Sequence, residues 1–246
     1  MQEAFSLAFV LYKDLNINAL KILDDFEKRW DEKLPLEFKV DTLRGNYHQF
    51  QVVISFVDTP IDVTEMAKIA QHNPFYQEGQ RIAKNHRGHA IVAVKGVSSA
   101  FERFRVLTKI LAAVASSYNA VAIYQGASQL FYSRDFLLEQ ARLLQEGYLP
   151  VQAWIYFGFY SHENAFWCYT QGMGQFGREE LEIASDRHTP RQLHEALIQF
   201  AYHYLSSHRQ WNDGELVVLN EELSLIVHPR YSPTLKSDTL LLSFDS

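Results

Sequence analysis

The chain has 246 residues, of which 47% are hydrophobic and 14% aromatic, and it carries a formal net charge of −6. This length and composition indicate a folded protein with one large domain or two small ones, and they give no indication of disorder. The negative charge and the lack of any Lys/Arg-rich run argue against nucleic acid as a partner, because phosphate backbones are held by clustered cations.

The single cysteine, Cys168, excludes an internal disulfide and a cysteine-based zinc site. Its position within a strand-like run predicts a small buried hydrophobe instead of a nucleophile. The apolar run at 5–12 is broken by Lys13 and Asp14, so it predicts a first strand and not a signal peptide. No run approaches the roughly 20 apolar residues that span a bilayer, and we therefore expect a cytoplasmic protein with no membrane association.

The first 96 residues predict the order strand, helix, strand, strand, helix, strand, which is the ferredoxin-like βαββαβ unit. Apolar or alternating runs predict the strands, and stripes at helical spacing predict the helices. Gly45 and Asn46 separate two alternating runs and predict a hairpin turn. The predicted strands cover 5–12, 36–40, 47–57 and 89–96, and the predicted helices cover 16–30, 62–71 and 78–86.

The remainder of the chain continues to alternate helices with strands. Ser99 and Glu102 form a capping pair before a long helix, and Ser133 caps another helix that stops at Gly147. The other predicted elements are a strand at 120–124, an aromatic hairpin at 151–160 and 165–171, a helix opened by Thr189 and Pro190, and strands at 223–228 and 239–244. These elements predict an α+β fold with antiparallel or mixed sheets and packed helices. We expect a single compact unit over 1–246, with candidate seams near 96–98 and 147–150.

The run GMGQFG at 172–177 fits the G-x-G-x-x-G pattern of a phosphate-binding loop. Only about a dozen residues separate Gly177 from the helix cap at Thr189, too few for the crossover helix of a dinucleotide site. Glu179 and Glu180 would also stand where a pyrophosphate should lie. We therefore expect the glycines to adopt positive φ or to pack closely, and we predict no cofactor.

His86 and His89 are spaced i and i+3, which can present two imidazoles together on a helix. A zinc site would need a further ligand, for which the candidates are Glu180, Glu182, His188 and His194. No spacing singles one of them out, so we predict no metal. We expect His86 to end a helix and His89 to enter a strand.

Glu180 and Glu182 alternate with Leu181 and Ile183, so on a strand both carboxylates project from one face. Two interpretations remain open. The pair forms a solvated strand face opposite a core face, or it provides carboxylates for acid/base work or cation binding.

The aromatic hairpin predicts a sheet with aromatic or apolar side chains on both faces. One face carries tyrosines and tryptophans, and the other carries Ile155, Phe157 and Phe159. Both faces are buried, or the Tyr/Trp face is a recognition surface, since these rings combine large area with a polar group. The candidate binding residues on that face are Trp154, Tyr156, Tyr160, Trp167 and Tyr169, with Glu180 and Glu182 from the next segment.

The stretch TQGMGQFGREELEI at 170–183, preceded by HRGHAIVAVKG at 86–96, resembles the bacterial family named domain of unknown function 4261. Its pattern comprises a His-x-x-His, a long alanine-rich helix, a Leu-Pro…Trp segment, a T-x-G…F-G-x-x-E-x-E signature and a late Asp-Gly. The matching residues are His86, His89, Ala112, Ala113, Ile123, Tyr124, Leu149, Pro150, Trp154, Thr170, Gly172, Met173, Phe176, Gly177, Glu180, Glu182, Asp213 and Gly214. The resemblance implies one compact α+β protein with no established activity, and a binding role linked to bacterial toxin systems as a hypothesis.

Three functional hypotheses follow. The first is a cytoplasmic, non-enzymatic protein-binding module, such as an immunity or adaptor protein for a bacterial toxin or secretion system. The second is an enzyme or small-ligand or metal-binding protein that uses Glu180, Glu182 and nearby histidines. The third is a homodimer formed through an exposed sheet edge.

Overall fold

The computed structural model describes residues 4–14, 18–72, 76, 78–97, 99–117, 119–207 and 209–245. The chain divides into two compact units, Met1–Pro150 and Val151–Ser246. In the described residues, the first unit contains a β-sheet with five α-helices and the second a β-sheet with two, so the predicted α+β class with antiparallel and mixed sheets is confirmed. Residue 98 belongs to the candidate seam at 96–98 and lies outside the described residues. No described helix is both long enough and apolar enough to cross a membrane.

The first unit is built on a sheet to which seven of the described strands belong. These are β1 Ala4–Tyr12, β2 Leu36–Lys39, β3 Thr42–Tyr47, β4 Phe50–Val57, β5 Gly88–Gly96, β6 Ala120–Gln125 and β7 Leu130–Ser133. Its helices are α1 Ala19–Trp30, α2 Val63–His72, α3 Gly79–Asn85, α4 Ala100–Ser117 and α5 Arg134–Gln145. The strand order is β2-β3-β4-β5-β1-β6-β7, and neighbouring strands pair antiparallel.

The ferredoxin-like arrangement of the N-terminal part is not confirmed. In that arrangement the first strand of the βαββαβ unit would lie between the last two strands. Here β4 and β5 pair directly with each other, and β1 lies on the far side of β5, where it also pairs with β6. The order of elements along the chain leaves open which strands become neighbours in the sheet.

The predicted hairpin turn at Gly45 and Asn46 is wrong, because β3 runs straight through both residues. The turns fall on either side, at Val40 and His48, which adopt left-handed φ values of 56° and 51°. Gly45 has a different role. A Cβ atom at this position would lie 2.5 Å from the carbonyl oxygen of Pro35, so the glycine permits a close approach of the chain that enters β2.

The second unit contains a sheet with six described strands in the order β11-β12-β13-β10-β9-β8. The strands are β8 Tyr156–His162, β9 Ala165–Gln171, β10 Glu180–Ser185, β11 Glu215–Val218, β12 Ser224–Ser232 and β13 Ser237–Phe244, and the helices are α6 Val151–Trp154 and α7 Pro190–Ser206. β10 pairs with β13 in parallel and with β9 antiparallel. Helix α7 begins at the predicted capping box of Thr189 and Gln192 and packs against β9 and β10. Leu181 and Ile183 are fully buried on the face of β10 that belongs to this core.

The predicted strand at 151–160 is wrong in its first half. Residues Val151–Trp154 form a short helix, and the strand begins only at Tyr156. Trp154 is therefore not on the Tyr/Trp face of the hairpin. Its side chain is 1% exposed and stacks on Phe176 with ring centroids 5.7 Å apart.

Candidate functional site on the aromatic sheet face

Four aromatic side chains of the β8–β9 hairpin form a continuous strip on one face of the second sheet. Because side chains alternate along a strand, the register that pairs Tyr160 with Trp167 and Gly158 with Tyr169 places all four on the same face. We call Tyr156, Tyr160, Trp167 and Tyr169 the aromatic strip. Each ring is half-buried, so each keeps part of its surface accessible.

The rings of the strip contact one another in sequence. Tyr156 and Tyr169 have centroids 6.1 Å apart, Tyr169 and Tyr160 5.9 Å apart, and Tyr160 and Trp167 5.4 Å apart with nearly parallel planes at 16°. Such offset and edge contacts are favourable beyond the burial of area. The strip is thus a packed surface in which each ring restricts its neighbour.

Gly158 positions the middle of the strip. A Cβ atom at this residue would lie 2.4 Å from Cζ of Tyr169 and 2.6 Å from its hydroxyl oxygen. The Tyr169 ring therefore lies flat across the glycine on the neighbouring strand, which is a known way in which an aromatic ring covers a glycine in a sheet. Any larger residue at position 158 would displace the ring.

Glu182 anchors the end of the strip that contains Tyr160. Its side chain is fully buried, and four side chains donate hydrogen bonds to its carboxylate. Oε1 accepts from the Tyr160 hydroxyl at 3.1 Å and the Ser232 hydroxyl at 3.0 Å. Oε2 accepts from the Arg230 guanidinium at 2.9 Å and the Thr239 hydroxyl at 3.2 Å. A buried carboxylate requires such a complete set of donors to offset its lost hydration.

Arg230 joins this anchor to the strip. While one of its terminal nitrogens contacts Glu182, the guanidinium lies over the Trp167 ring, 5.2 Å from the centroid. In the described part of the chain, Nε of Arg230 and Nε1 of Trp167 are buried without a hydrogen-bond partner. Burial, together with the charge of Glu182, raises the pKa of Tyr160 to about 12, so its hydroxyl stays protonated and serves as a donor.

The environment of Glu182 corrects the first interpretation of the glutamate pair, a solvated strand face. Glu182 is not on a solvated face, because no part of its side chain is exposed. Glu180 and Glu182 also do not form one site, because each carboxylate has its own set of donors. With two donors on each oxygen, Glu182 has no acceptor position left for a proton in transit or a cation.

Glu180 instead organises the glycine-rich loop. Its Oε1 accepts hydrogen bonds from the backbone N–H groups of Gly172 at 2.8 Å and Gly174 at 3.4 Å, and its Oε2 accepts from the Thr170 hydroxyl at 2.8 Å. The same hydroxyl accepts from the N–H of Leu181 at 2.8 Å. An internal carboxylate thus takes the position at which a phosphate would bind such a loop.

Two of the three glycines behave as predicted, whereas Gly174 has neither a positive φ nor any atom within 4 Å of its Cβ position. Gly172 and Gly177 have φ values of 120° and 68°, on either side of a 3-10 turn over Met173–Phe176. The T-x-G…F-G-x-x-E-x-E signature is therefore one local structure: Thr170, Gly172 and Glu180 close the loop, Phe176 packs on Trp154, and Glu182 supports the strip.

The histidine pair lies in the first unit and is structural. His86 ends α3 and His89 enters β5, as predicted. His86 uses both ring nitrogens: Nδ1 donates to the Ala83 carbonyl at 2.7 Å, and Nε2 accepts from the Ile61 N–H at 2.9 Å. His89 Nδ1 contacts the Thr59 carbonyl at 2.9 Å. Burial lowers the pKa of both imidazoles, so the pair holds the 59–61 segment as neutral rings.

The remaining candidate residues are also placed. Asp213 and Gly214 form the turn before β11, where Gly214 has a φ of 75° and Asp213 Oδ1 lies 2.8 Å from His228 Nδ1. Cys168 is buried in β9, and burial raises its pKa to about 12, as expected of an inert thiol. Within the described residues, no cluster of three or more His, Cys, Asp or Glu side chains could hold a metal ion.

Sequence reasoning missed the partners of Glu182. Arg230, Ser232 and Thr239 lie about 50 residues downstream on β12 and β13. The available signal was the spacing of Arg230 and Ser232, which places two hydrogen-bond donors on one face of a strand. That signal indicates a polar strand face but does not identify the carboxylate that the face meets.

Compared with known proteins, the chain matches no family model, no curated protein and no solved structure. The resemblance to domain of unknown function 4261 therefore stays a prediction.

Proposed function

We propose that the chain is a non-enzymatic protein-binding module and that the aromatic strip contacts a basic protein partner. The observation that carries this proposal is the strip itself, a row of half-buried Tyr and Trp rings that ends at an Arg. These three residue types dominate the binding energy of protein interfaces, because they bury large areas and still offer a polar contact.

The charge of the second unit supports a basic partner. Residues 151–246 contain 12 acidic and six basic side chains, whereas residues 1–150 contain 17 of each, so the second unit carries the whole formal charge of −6. Complementary charge raises the association rate and excludes partners of the same sign.

The anchor supports binding in a second way, by fixing the strip before a partner arrives. Gly158 seats the Tyr169 ring, and the Glu182 carboxylate holds Tyr160 and Arg230. Side chains that are already ordered lose little conformational entropy on association, which leaves more of the contact energy for affinity.

The resemblance to domain of unknown function 4261 gives this proposal a more specific form. In that form the module acts in the bacterial cytoplasm as an immunity or adaptor protein for a toxin or secretion system, and its partner is the basic toxin. A single buried cysteine suits a reducing compartment.

The small-ligand or enzymatic alternative receives less support from the geometry. It requires acceptor sites on Glu180 and Glu182, and both carboxylates are engaged by donors of the chain. Replacement of both residues by Gln, followed by thermal-shift screening against metals and metabolites, tests it. A ligand-induced shift that the native chain shows and the variant loses would favour this alternative.

A homodimer is favoured by one observation. β11 is an edge strand of the second sheet, and its Leu216 and Val218 side chains are 49% and 65% exposed. Unpaired apolar edges tend to pair with other strands. Light scattering on the native chain and on a Val218→Lys variant tests this: a dimer that becomes a monomer in the variant supports pairing through β11.

The central proposal is tested with a strip variant and a matched control. Tyr156→Ala/Tyr169→Ala removes two rings of the strip, and Phe166→Ala removes a 46% exposed ring from the opposite face of β9. Proteins captured from host lysate by each chain are compared by quantitative mass spectrometry, and binding of each purified candidate is then measured. We expect a basic protein whose affinity falls at least about 10-fold with the strip variant only. Equal capture by all three chains would contradict the proposal.

A further inference from the structure

The first unit contains a groove that no part of the proposed binding function uses. It lies between the end of α1, the β3–β4 turn, α4 and the end of α5, and its volume is about 610 Å³. Small-molecule sites have volumes of roughly 300–1,000 Å³. We call it the α4 groove; the side chains that matter for its chemistry are Glu32, His48, Glu102, Arg105 and Lys109, together with apolar groups from Phe50, Val106 and Leu144.

One side of the α4 groove is closed by an ion pair that the chain satisfies internally. Lys109 Nζ lies 2.7 Å from Glu32 Oε1 and 3.4 Å from the Tyr47 hydroxyl. Tyr47 and His48 also contact the second oxygen of Glu32. Although burial acts to raise it, hydrogen bonds from Lys109, Tyr47 and His48 lower the pKa of Glu32 to about 2. Glu32 is therefore a neutralised carboxylate, and Lys109 has one N–H left to donate.

Arg105 is different, because its charge has no ion-pair partner among the described residues. It lies one helical turn before Lys109 on α4, so both cations face the groove. Among the described residues its side chain forms no ion pair or hydrogen bond, and its Nε is buried without a partner. Glu102, three residues earlier on the same helix, is exposed and is not paired with it. A half-buried guanidinium that has no ion-pair partner among the described residues can bind a carboxylate from a ligand.

We propose that the α4 groove binds a small organic carboxylate. The Arg105 guanidinium is the main contact, because its fork matches the two oxygens of a carboxylate, and the free N–H of Lys109 is the second. The exposed carboxylate of Glu102 lines the same groove, so a doubly charged phosphate is repelled more than a singly charged carboxylate. Among the apolar residues of the groove, Leu144 is half-buried and offers a surface for the body of the ligand, whereas Phe50 and Val106 are almost fully buried.

The experiment uses the full native chain, labelled with ¹⁵N, and three probes: hexanoate, benzoate and inorganic phosphate. Each probe is titrated to millimolar concentrations while backbone resonances are followed. We expect saturable shifts at residues of the α4 groove with at least one of the two carboxylates, and weaker shifts with phosphate. Arg105→Gln should weaken carboxylate binding at least about 10-fold, because it removes charge-assisted hydrogen bonds. The matched control is Arg44→Gln, an exposed arginine of β3 outside the groove, which should leave binding unchanged.

A second variant tests the choice of ligand charge. Glu102→Gln removes a repelling carboxylate without touching the guanidinium, so it should strengthen binding of every probe and benefit phosphate most. The spectra of the variants also show whether they remain folded. The proposal is overturned if neither hexanoate nor benzoate shifts the groove resonances, if Arg105→Gln binds as the native chain does, or if phosphate binds more tightly than both carboxylates.

Discussion

Glu182 is the residue on which the aromatic face of the second sheet depends. Burial of a carboxylate costs several kcal/mol, and four donors from three other strands offset that cost. The buried carboxylate positions the side chains of the strip. It fixes the hydroxyl of Tyr160 and the guanidinium of Arg230, and Arg230 in turn lies on Trp167. A residue that resembles a catalytic carboxylate in the sequence is therefore a structural anchor in the fold.

This role predicts the effect of Glu182→Gln. The substitution keeps the shape but leaves Arg230 without its counter-charge, so we expect a loss of about 2–4 kcal/mol in the free energy of unfolding. Urea denaturation of the native and variant chains measures it. Glu221→Gln is the matched control, because Glu221 is exposed. In a double-mutant cycle with Arg230→Gln, the two losses should be strongly non-additive; simple addition would show that the pair is not coupled.

The buried histidines predict a pH dependence of stability. Burial lowers the pKa of His86, His89 and His194 below the ordinary value of 6.5. Well above about pH 6.5 these imidazoles are unprotonated in both the folded and the unfolded state. As the pH falls below that value, the imidazoles of the unfolded state are protonated first, so stability is lost on acidification. We expect the free energy of unfolding to decrease by up to about 1.4 kcal/mol per pH unit for each histidine.

Urea midpoints measured at about pH 7.5 and pH 5.5 test this dependence. His86→Ala should be less stable than the native chain at both values but should lose less on acidification. His162→Ala, which removes an exposed histidine, should reproduce the native pH dependence. A native chain whose stability is unchanged between the two pH values would contradict the prediction.

Among the structural elements, those defined by local contacts were predictable from the sequence. The caps at Ser133 and Thr189 hydrogen-bond to residues three positions later, and both helices begin where expected. Strand alternation likewise placed Tyr156, Tyr160 and Trp167 on one face. Three further features could not be predicted from the sequence. An apolar run as short as Val151–Trp154 does not distinguish a strand from a helix, and Gly45 resembles a turn residue although its neighbour Pro35 is what requires a glycine. The polar partners of Glu182 depend on a parallel pairing between distant strands.

The β8–β9 hairpin gives an element-level prediction. Gly158→Ala should push the Tyr169 ring off the neighbouring strand, because the new Cβ would overlap ring atoms at 2.4 Å. Since the ring is only half-buried and can rotate away, we expect a loss of about 1–2 kcal/mol, together with altered aromatic signals in near-UV circular dichroism. Gly174→Ala is the matched control, because nothing lies within 4 Å of its Cβ position. Equal effects of the two substitutions would show that Tyr169 is not seated on Gly158.

Across the whole molecule, charge is distributed unequally between the two units. The first unit is neutral in formal charge, and the second carries all of the −6. Such a field acts over roughly a Debye length, about 8 Å at physiological salt, so it guides a partner toward one part of the chain before any contact forms. The proposed interface and the acidic charge thus belong to the same unit.

This distribution predicts where a simple polycation binds. In titrations of the ¹⁵N-labelled full chain with an oligolysine peptide at low salt, we expect resonances of residues 151–246 to shift and those of residues 1–150 to shift much less. The shifts should shrink as salt rises toward physiological strength, because exposed charges are then screened. An oligoglutamate peptide of the same length is the control and should leave residues 151–246 unperturbed. If oligolysine instead perturbed both units equally, the net charge of the second unit would not direct association, and the expectation of a basic partner would lose its electrostatic support.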